Sequence, residues 1–159
     1  MKKVLGEGSV VICVQGCENL NAKNKVIETK PNESFEIAGI KVETIPAYNI
    51  KPERLNFHPR ANNWVGYILT LNGYRIYHAG DTDFVPEMKL LKDIDMAMLP
   101  IGGTYTLDVS EVIWAANTIK AKVTVPMHYK GKPWPATHNW KAMEEQFRAG
   151  VKGRVEIFN

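Results

Sequence analysis

The sequence predicts an α+β fold in which β-hairpins come first and alternating helices and strands follow. In the first half, short runs that alternate apolar and polar residues are separated by turn residues, which is typical of antiparallel strands with one wet face. In the second half, short apolar runs alternate with segments of helical periodicity, which is typical of strand–helix units. The chain has 159 residues, a usual length for one domain, so we expect residues 1–159 to form a single domain.

Turn residues mark the strands of the first half. Ser34–Ile37 and Ile40–Ile45 flank Ala38-Gly39 and both alternate apolar with polar residues, so they should pair as a hairpin. Asn72-Gly73 separates two apolar runs, and both residues tolerate the positive φ angles of a type I′ turn, which predicts a second hairpin. The other expected features are strands at residues 10–14, 26–28, 64–71 and 74–77, and a long loop with three prolines at residues 46–61.

The clearest helix of the second half begins at Asp108. Asp108 and Glu111 have the spacing of a capping box, with Asp at the N-cap, and an apolar face follows as far as Ile119. The pattern therefore predicts a helix over residues 108–119. The remaining expected elements are a short helix at 86–91, a helix at 137–149, and strands at 95–99, 123–126 and 154–158.

Composition and charge argue against two classes of partner. The net charge is +3 and the Lys and Arg residues are scattered, whereas a nucleic-acid binder usually carries a clustered basic stripe. No apolar run approaches the roughly 18 to 20 residues that span a bilayer. The apolar stretch after Met1–Lys3 is too broken for the core of a signal peptide. We therefore expect a cytoplasmic protein that binds neither nucleic acid nor membranes.

Two possible metal ligands stand where apolar runs end. Asp81 follows the run at residues 74–77, and His128 follows the run at residues 122–125. Carboxylate and imidazole groups are suited to zinc or a similar divalent ion, and strand ends hold such groups rigidly. Each residue also has a plainer interpretation, since Asp81 could stabilise a turn or cap a helix and His128 could be an ordinary histidine at a strand end. We expect both side chains at the same end of one sheet.

Three segments in this order resemble the metallo-β-lactamase superfamily. They are Gly80–Thr82 after a strand, Leu99–Tyr105 at the end of the next strand, and Met127–Tyr129 at the end of a third. Within the superfamily the chain is most similar to small metal-dependent hydrolases related to lactonases. The resemblance implies a four-layer αββα sandwich. It also implies that Asp81 is the catalytic carboxylate that bridges two metal ions and that His128 binds the second ion.

The sequence departs from the superfamily at the other ligands. The signature His-x-His-x-Asp-His, which supplies most of the metal ligands, is not present in the 159 residues. Tyr48-Asn49 stands where many relatives carry a ligand histidine, and the next candidate is His58, which could equally be an exposed loop histidine. We therefore expect an N-terminally truncated sandwich. Its metal ligands would be Asp81, His128 and His58, with zinc or manganese bound weakly or not at all.

The function that the resemblance implies is metal-assisted hydrolysis of a small ester, lactone or phosphoester, incomplete in this chain alone. Tyr105 and Thr106 lie in the loop after the 95–99 strand, which borders the site in relatives, so they are expected to contact substrate. The alternative is a non-catalytic remnant that binds a small molecule or a partner chain. Uncovered apolar surface would favour a homo-oligomer. Cys13 and Cys17 are interpreted as small apolar side chains rather than as half of a zinc site.

Overall fold

The computed structural model describes residues 5–6, 8–17, 24–131 and 138–158. It contains two β-sheets, two α-helices and short 3₁₀ helices at Arg60–Asn62 and Pro86–Leu90. The strands are β1 (Val10–Val14), β2 (Lys25–Thr29), β3 (Ser34–Ile37), β4 (Ile40–Pro46), β5 (Val65–Leu71), β6 (Tyr74–His78), β7 (Met96–Pro100), β8 (Val123–Met127) and β9 (Arg154–Val155); the α-helices are α1 (Val109–Ile119) and α2 (Trp140–Gly150).

The large sheet has seven strands in sequence order, from β3 to β9. Strands β3 to β6 pair antiparallel, and β6 to β9 pair parallel. This change of direction confirms the predicted α+β organisation, with hairpins first and strand–helix units afterwards. Strands β1 and β2 form a separate parallel pair, a pairing that the sequence pattern did not predict.

The turn at Asn72-Gly73 confirms the predicted hairpin between β5 and β6. Asn72 has a φ angle of 49° and Gly73 a φ angle of 81°, as a type I′ turn requires. The turn sets the register in which Leu71 pairs with Tyr74 and Tyr67 pairs with His78. The end of β6 is thereby fixed beside the start of β5, which brings the loop that follows β6 to one edge of the core.

The structure corrects the predicted bounds of two late elements. Helix α2 begins at Trp140, because the Asn139 side chain accepts a hydrogen bond from the Ala142 amide and caps the helix. The predicted start at residue 137 lies outside the described residues. The last strand ends at Val155 rather than at residue 158, because pairing with β8 stops at Thr124.

Helix α1 packs against β7 and against α2 and covers the main core. Its buried side chains fall on one face, at Val109, Val112, Ala115, Ala116 and Ile119. Among the described residues, no helix is both long enough and apolar enough to cross a bilayer.

A buried ion pair ties the long loop before β5 to the rest of the molecule. Arg54 Nη1 lies 2.6 Å from Asp83 Oδ1, and both side chains are almost completely buried. The second oxygen of Asp83 accepts hydrogen bonds from the backbone amides of Ile50 and Lys51 at 2.8 and 3.0 Å. The other guanidinium nitrogen of Arg54 donates to Glu111 at the start of α1. Loop 47–63, the strand-end loop at Asp83 and helix α1 are thus held by one charged network.

Replacing the buried carboxylate, as Asp83→Ala, should cost about 3–5 kcal/mol in the free energy of unfolding, because Arg54 would lose a buried counter-charge. The backbone amides of Ile50 and Lys51 would lose their acceptor as well. Urea denaturation checks the value. The control is Glu156→Ala, which breaks the exposed ion pair with Arg154 and should cost no more than about 1 kcal/mol. Similar costs for both variants would contradict the role given to the buried pair.

The Asp108→Ala variant should lower stability by about 1 kcal/mol at neutral pH, because the Asp108 side chain accepts from the Glu111 amide in the capping box. Burial acts to raise the pKa of Asp108, but hydrogen bonds from Ser110, Glu111 and Lys51 hold that pKa well below its ordinary value. This stabilisation is complete above the unfolded pKa of about 4 and is lost as pH falls toward the folded pKa.

The difference between wild type and Asp108→Ala in urea denaturation should therefore shrink as the pH is lowered below about 4. The control is Thr118→Ala on the same helix, which removes one exposed hydrogen bond to Trp114 and should stay within about 0.5 kcal/mol. A gap between wild type and Asp108→Ala that widens in acid would show that the carboxylate is not the stabilising species.

Candidate functional site

Asp81 lies between two histidines at one end of the large sheet. Oδ2 of Asp81 is 3.5 Å from Nε2 of His58, and Oδ1 is 3.7 Å from Nδ1 of His128. The predicted proximity of Asp81 and His128 is therefore confirmed, and His58 joins them from the long loop. Each histidine faces a different oxygen of the same carboxylate, so Asp81 is the centre of the cluster.

Two glycines allow the backbone before Asp81 to pass close to strand β5. Gly80 has a φ angle of 69°, a left-handed conformation that residues with a Cβ atom rarely adopt. Gly66 lies so near that an added Cβ would stand 2.8 Å from the carbonyl oxygen of Ala79. The next residue, Thr82, is fixed by its hydroxyl, which accepts a hydrogen bond from the Tyr48 amide at 3.1 Å. The path of the loop is therefore fixed before Asp81 by the close approach to β5 and after Asp81 by the hydrogen bond between Thr82 and Tyr48.

His58 is held by Asn49, a buried residue whose role the sequence did not predict. The side-chain oxygen of Asn49 lies 3.0 Å from the backbone nitrogen of His58 and 2.9 Å from ring Nδ1. Nε2, the other ring nitrogen, is the one that faces Asp81. The residues next to His58 do not predict this contact, because Asn49 is nine residues away within an irregular loop.

His128 is positioned by its own backbone and by the residues that follow it. Its φ angle is 55°, an unusual value for a residue with a side chain, and it turns the chain sharply as β8 ends. The Tyr129 hydroxyl then donates a short hydrogen bond to Glu144 of α2, and Lys130 Nζ pairs with the same carboxylate at 2.7 Å. Helix α2 therefore anchors the segment that carries His128.

The remaining candidates occupy different places. His78 is exposed at the end of β6, and its Nδ1 accepts a hydrogen bond from the Gly80 amide at 3.2 Å, so the residue supports the turn before Asp81. Tyr105 is half-buried, packs edge-to-face on Phe57 and accepts through its carbonyl from Asn49. Thr106 is completely buried. Of the two predicted substrate-contacting residues, only Tyr105 exposes side-chain surface.

Asp81 is a stable anion in this cluster. In its charged form His58 directs the hydrogen on Nε2 toward Asp81, and this contact is the largest influence and lowers the pKa of Asp81; partial burial opposes it, and the charge of His128 adds to it. The cluster therefore favours the charged form of the Asp81 carboxylate. A charged oxygen donor flanked by two imidazoles is the kind of set that zinc and similar divalent ions bind.

The described donors near Asp81 do not amount to a complete metal site. Across the described ranges 5–6, 8–17, 24–131 and 138–158, no group of three or more His, Cys, Asp or Glu side chains is arranged closely enough to hold a metal ion. The two histidines each approach Asp81 but do so at opposite oxygens. Carboxylate and imidazole donors suit a divalent ion. Among the described residues, however, these donors are not arranged closely enough to surround one.

A cavity of about 600 Å³ adjoins the cluster and is lined by both His58 and Asp81. Most of its wall is apolar and comes from Val11–Val14 of β1 and from Trp64–Val65 at the start of β5. Cys13 and Cys17, both half-buried thiols, also line it. No Lys or Arg is found among the described residues of the lining. Its volume is typical of a small-molecule pocket.

The sequence matches a family model described as the beta-lactamase superfamily domain over residues 10–129. A UPF0173 metal-dependent hydrolase from Thermococcus onnurineus is 35% identical over 126 residues, which cover 77% of this chain and 53% of that protein. One from Alkaliphilus metalliredigens is 42% identical over 97 residues, which cover 59% of this chain and 41% of that protein. The chain thus spans about half the length of the curated relatives it matches.

Solved structures agree with the sequence match. A protein from Parabacteroides distasonis, named as a metal-dependent hydrolase, superposes with a TM-score of 0.79 at 35% identity, over 98% of this chain and 67% of that chain. A protein from Thermotoga maritima, named as a Zn-dependent hydrolase of the metallo-β-lactamase superfamily, has a TM-score of 0.67 at 20% identity, over 94% of this chain and 82% of that chain, and supports the fold. The chain therefore belongs to the β-lactamase superfamily domain family and has a metallo-β-lactamase fold.

Proposed function

We propose that this chain carries part of the active site of a metal-dependent hydrolase. The observation that carries the proposal is the Asp81 carboxylate, which lies within 3.5 Å of His58 and 3.7 Å of His128 at the end of the sheet. The relatives' names support the same activity, since they are metal-dependent hydrolases. A divalent ion in such a site supplies a polarising charge and an activated water.

The proposed ligands are Asp81, His128 and His58, with Asp81 as the shared and catalytically central residue. Asp81 is central because each histidine approaches a separate oxygen of its carboxylate. Zinc or manganese is the proposed metal, and its binding by this chain alone is proposed to be weak. The reason is that the described residues provide no group of three donors close enough to surround an ion.

The proposed substrate is a small ester or lactone rather than a phosphoester. The cavity beside His58 and Asp81 is largely apolar, and its described lining contains no Lys or Arg to pair with a phosphate. Phosphate groups in proteins are usually met by cationic side chains or helix N-termini. Tyr105, which packs on Phe57 next to His58, is proposed to contact the substrate.

A second candidate function is a non-catalytic module that binds a small apolar molecule. Two observations favour it: the described residues provide no group of donors that surrounds an ion, and a cavity of about 600 Å³ could hold a ligand without any metal. The two candidates differ in whether Asp81 matters for binding an ion, and calorimetry can distinguish them.

Zinc and manganese titrated into the chain should bind weakly, and Asp81→Asn should reduce the affinity at least about tenfold. The substitution keeps the shape of the side chain but removes the charge that both histidines face, and anionic oxygen is what a divalent ion prefers over an amide. Isothermal titration calorimetry measures the affinities. Asp93→Asn is the matched control, since Asp93 is exposed and has a left-handed φ of 55° that Asn tolerates well.

Equal affinities in wild type and Asp81→Asn would contradict the proposed metal site. Tight binding by wild type would show instead that other donors complete the site around Asp81. A loss of affinity in Asp93→Asn as large as that in Asp81→Asn would point to surface charge rather than to a specific site.

With zinc in excess, the chain should turn over an aryl ester and a lactone slowly, and an aryl phosphodiester more slowly still. The apolar cavity, whose described lining contains no Lys or Arg, accommodates the first two better than an anion. A chromogenic hydrolysis assay measures the three rates, and Asp81→Asn should abolish them while Asp93→Asn retains them. Preference for the phosphodiester would overturn the proposed substrate class. Metal binding without turnover of any of the three would favour the binding module.

A further inference from the structure

We propose that Asn49 is a positioning residue that fixes the tautomer and direction of the His58 ring. The inference concerns the protein without metal or substrate, so it can fail or hold independently of the proposed hydrolase. It rests on four contacts of one buried amide, together with the distance from His58 to Asp81.

The orientation of the Asn49 amide is determined by its own partners. Its nitrogen lies 3.0 Å from Oδ1 of Asp83 and 3.0 Å from the carbonyl oxygen of Tyr105. A carboxylate and a carbonyl can only accept hydrogen bonds, so the amide group that faces them is the donor NH₂. The Asn49 oxygen must therefore face His58.

This orientation decides which nitrogen of His58 carries the hydrogen. The Asn49 oxygen accepts from the backbone N–H of His58 at 3.0 Å and lies 2.9 Å from ring Nδ1. Because an amide oxygen has no hydrogen to give, Nδ1 must be the protonated nitrogen. In the neutral ring Nε2 then has a lone pair, and Nε2 is the atom that lies 3.5 Å from Asp81. A histidine that ligates through Nε2 has this tautomer.

The core of the protein keeps Asn49 in place. Asn49 is 2% exposed, and the Asp83 carboxylate that holds its nitrogen is itself paired with buried Arg54. Arg54 in turn donates to Glu111 at the start of α1. The direction of the His58 ring therefore depends on a continuous series of polar contacts from helix α1 through the interior to the candidate site.

The direct test is made on the wild-type protein, and one variant serves only to assign the signals. Long-range ¹H–¹⁵N correlation spectra at a pH where the histidines are neutral report which ring nitrogen carries hydrogen, and the His58→Gln variant identifies the His58 signals among the four histidines. We expect a pyrrole-type Nδ1 and a pyridine-type Nε2 for His58. A protonated Nε2 in the wild-type protein would overturn the proposal, whatever the behaviour of any variant.

The Asn49→Ala variant tests whether Asn49 determines the tautomer of the His58 ring. It should move the His58 signals toward the Nε2–H tautomer, and the affinity for added zinc should fall about 10–100-fold, as for other groups that orient metal-binding histidines. The control is Asn117→Ala, which loses two side-chain hydrogen bonds with the backbone of Gly150 and Lys152 and should leave the His58 signals unchanged.

The two proposals fail in different ways. An unchanged His58 tautomer in folded Asn49→Ala, or an equal change in Asn117→Ala, would overturn the role of Asn49. A wild-type protein that shows the expected tautomer but binds no zinc would leave Asn49 as the positioning residue and would remove support only from the proposed hydrolase.

Discussion

The buried pair of Arg54 and Asp83 is the interaction on which the candidate site depends. Two charges removed from water are costly unless each is matched by close and well-directed partners. Asp83 has four such partners, namely Arg54, the Asn49 amide and the backbone amides of Ile50 and Lys51. Because these partners come from one irregular segment, satisfying the carboxylate also fixes the path of loop 47–63. That path brings His58 to Asp81.

The three side chains of the cluster are positioned by different parts of the structure. Asp81 is carried on a loop that can approach β5 only because Gly66 has no Cβ. His58 is held through a buried amide, and His128 by a left-handed backbone and the anchoring of Tyr129 and Lys130 to Glu144. A site supported by several independent elements is sensitive to changes far from it, because each support is part of the core or of a helix.

The chain departs from the superfamily pattern within the same loop. Tyr48-Asn49 stands where the resemblance places a ligand histidine, and His58 approaches the carboxylate from nine residues further on. Asn49 still takes part in the site, but as the residue that holds the histidine. His58 places an imidazole beside Asp81, and Asn49 links that histidine to the interior through Asp83 and Arg54.

The sequence by itself determined the features that depend on neighbouring residues. Asn72-Gly73 specifies a tight hairpin because both residues accept positive φ, and Asp108 with Glu111 specifies a helix start because their side chains reach the free amides of the first turn. The ordered strand ends at Asp81 and His128 predicted the proximity of the two residues, since parallel strands end at the same edge of a sheet.

Only the tertiary structure decided the contacts between residues distant in sequence. Arg54 and Asp83 are 29 residues apart, and neither has a local pattern that marks it as buried. The parallel pairing of β1 with β2, the burial of Thr106 and the role of Asn49 likewise have no signal in the residues around them. A polar side chain looks the same in sequence whether it faces water or a buried partner, and only the packed chain supplies that partner.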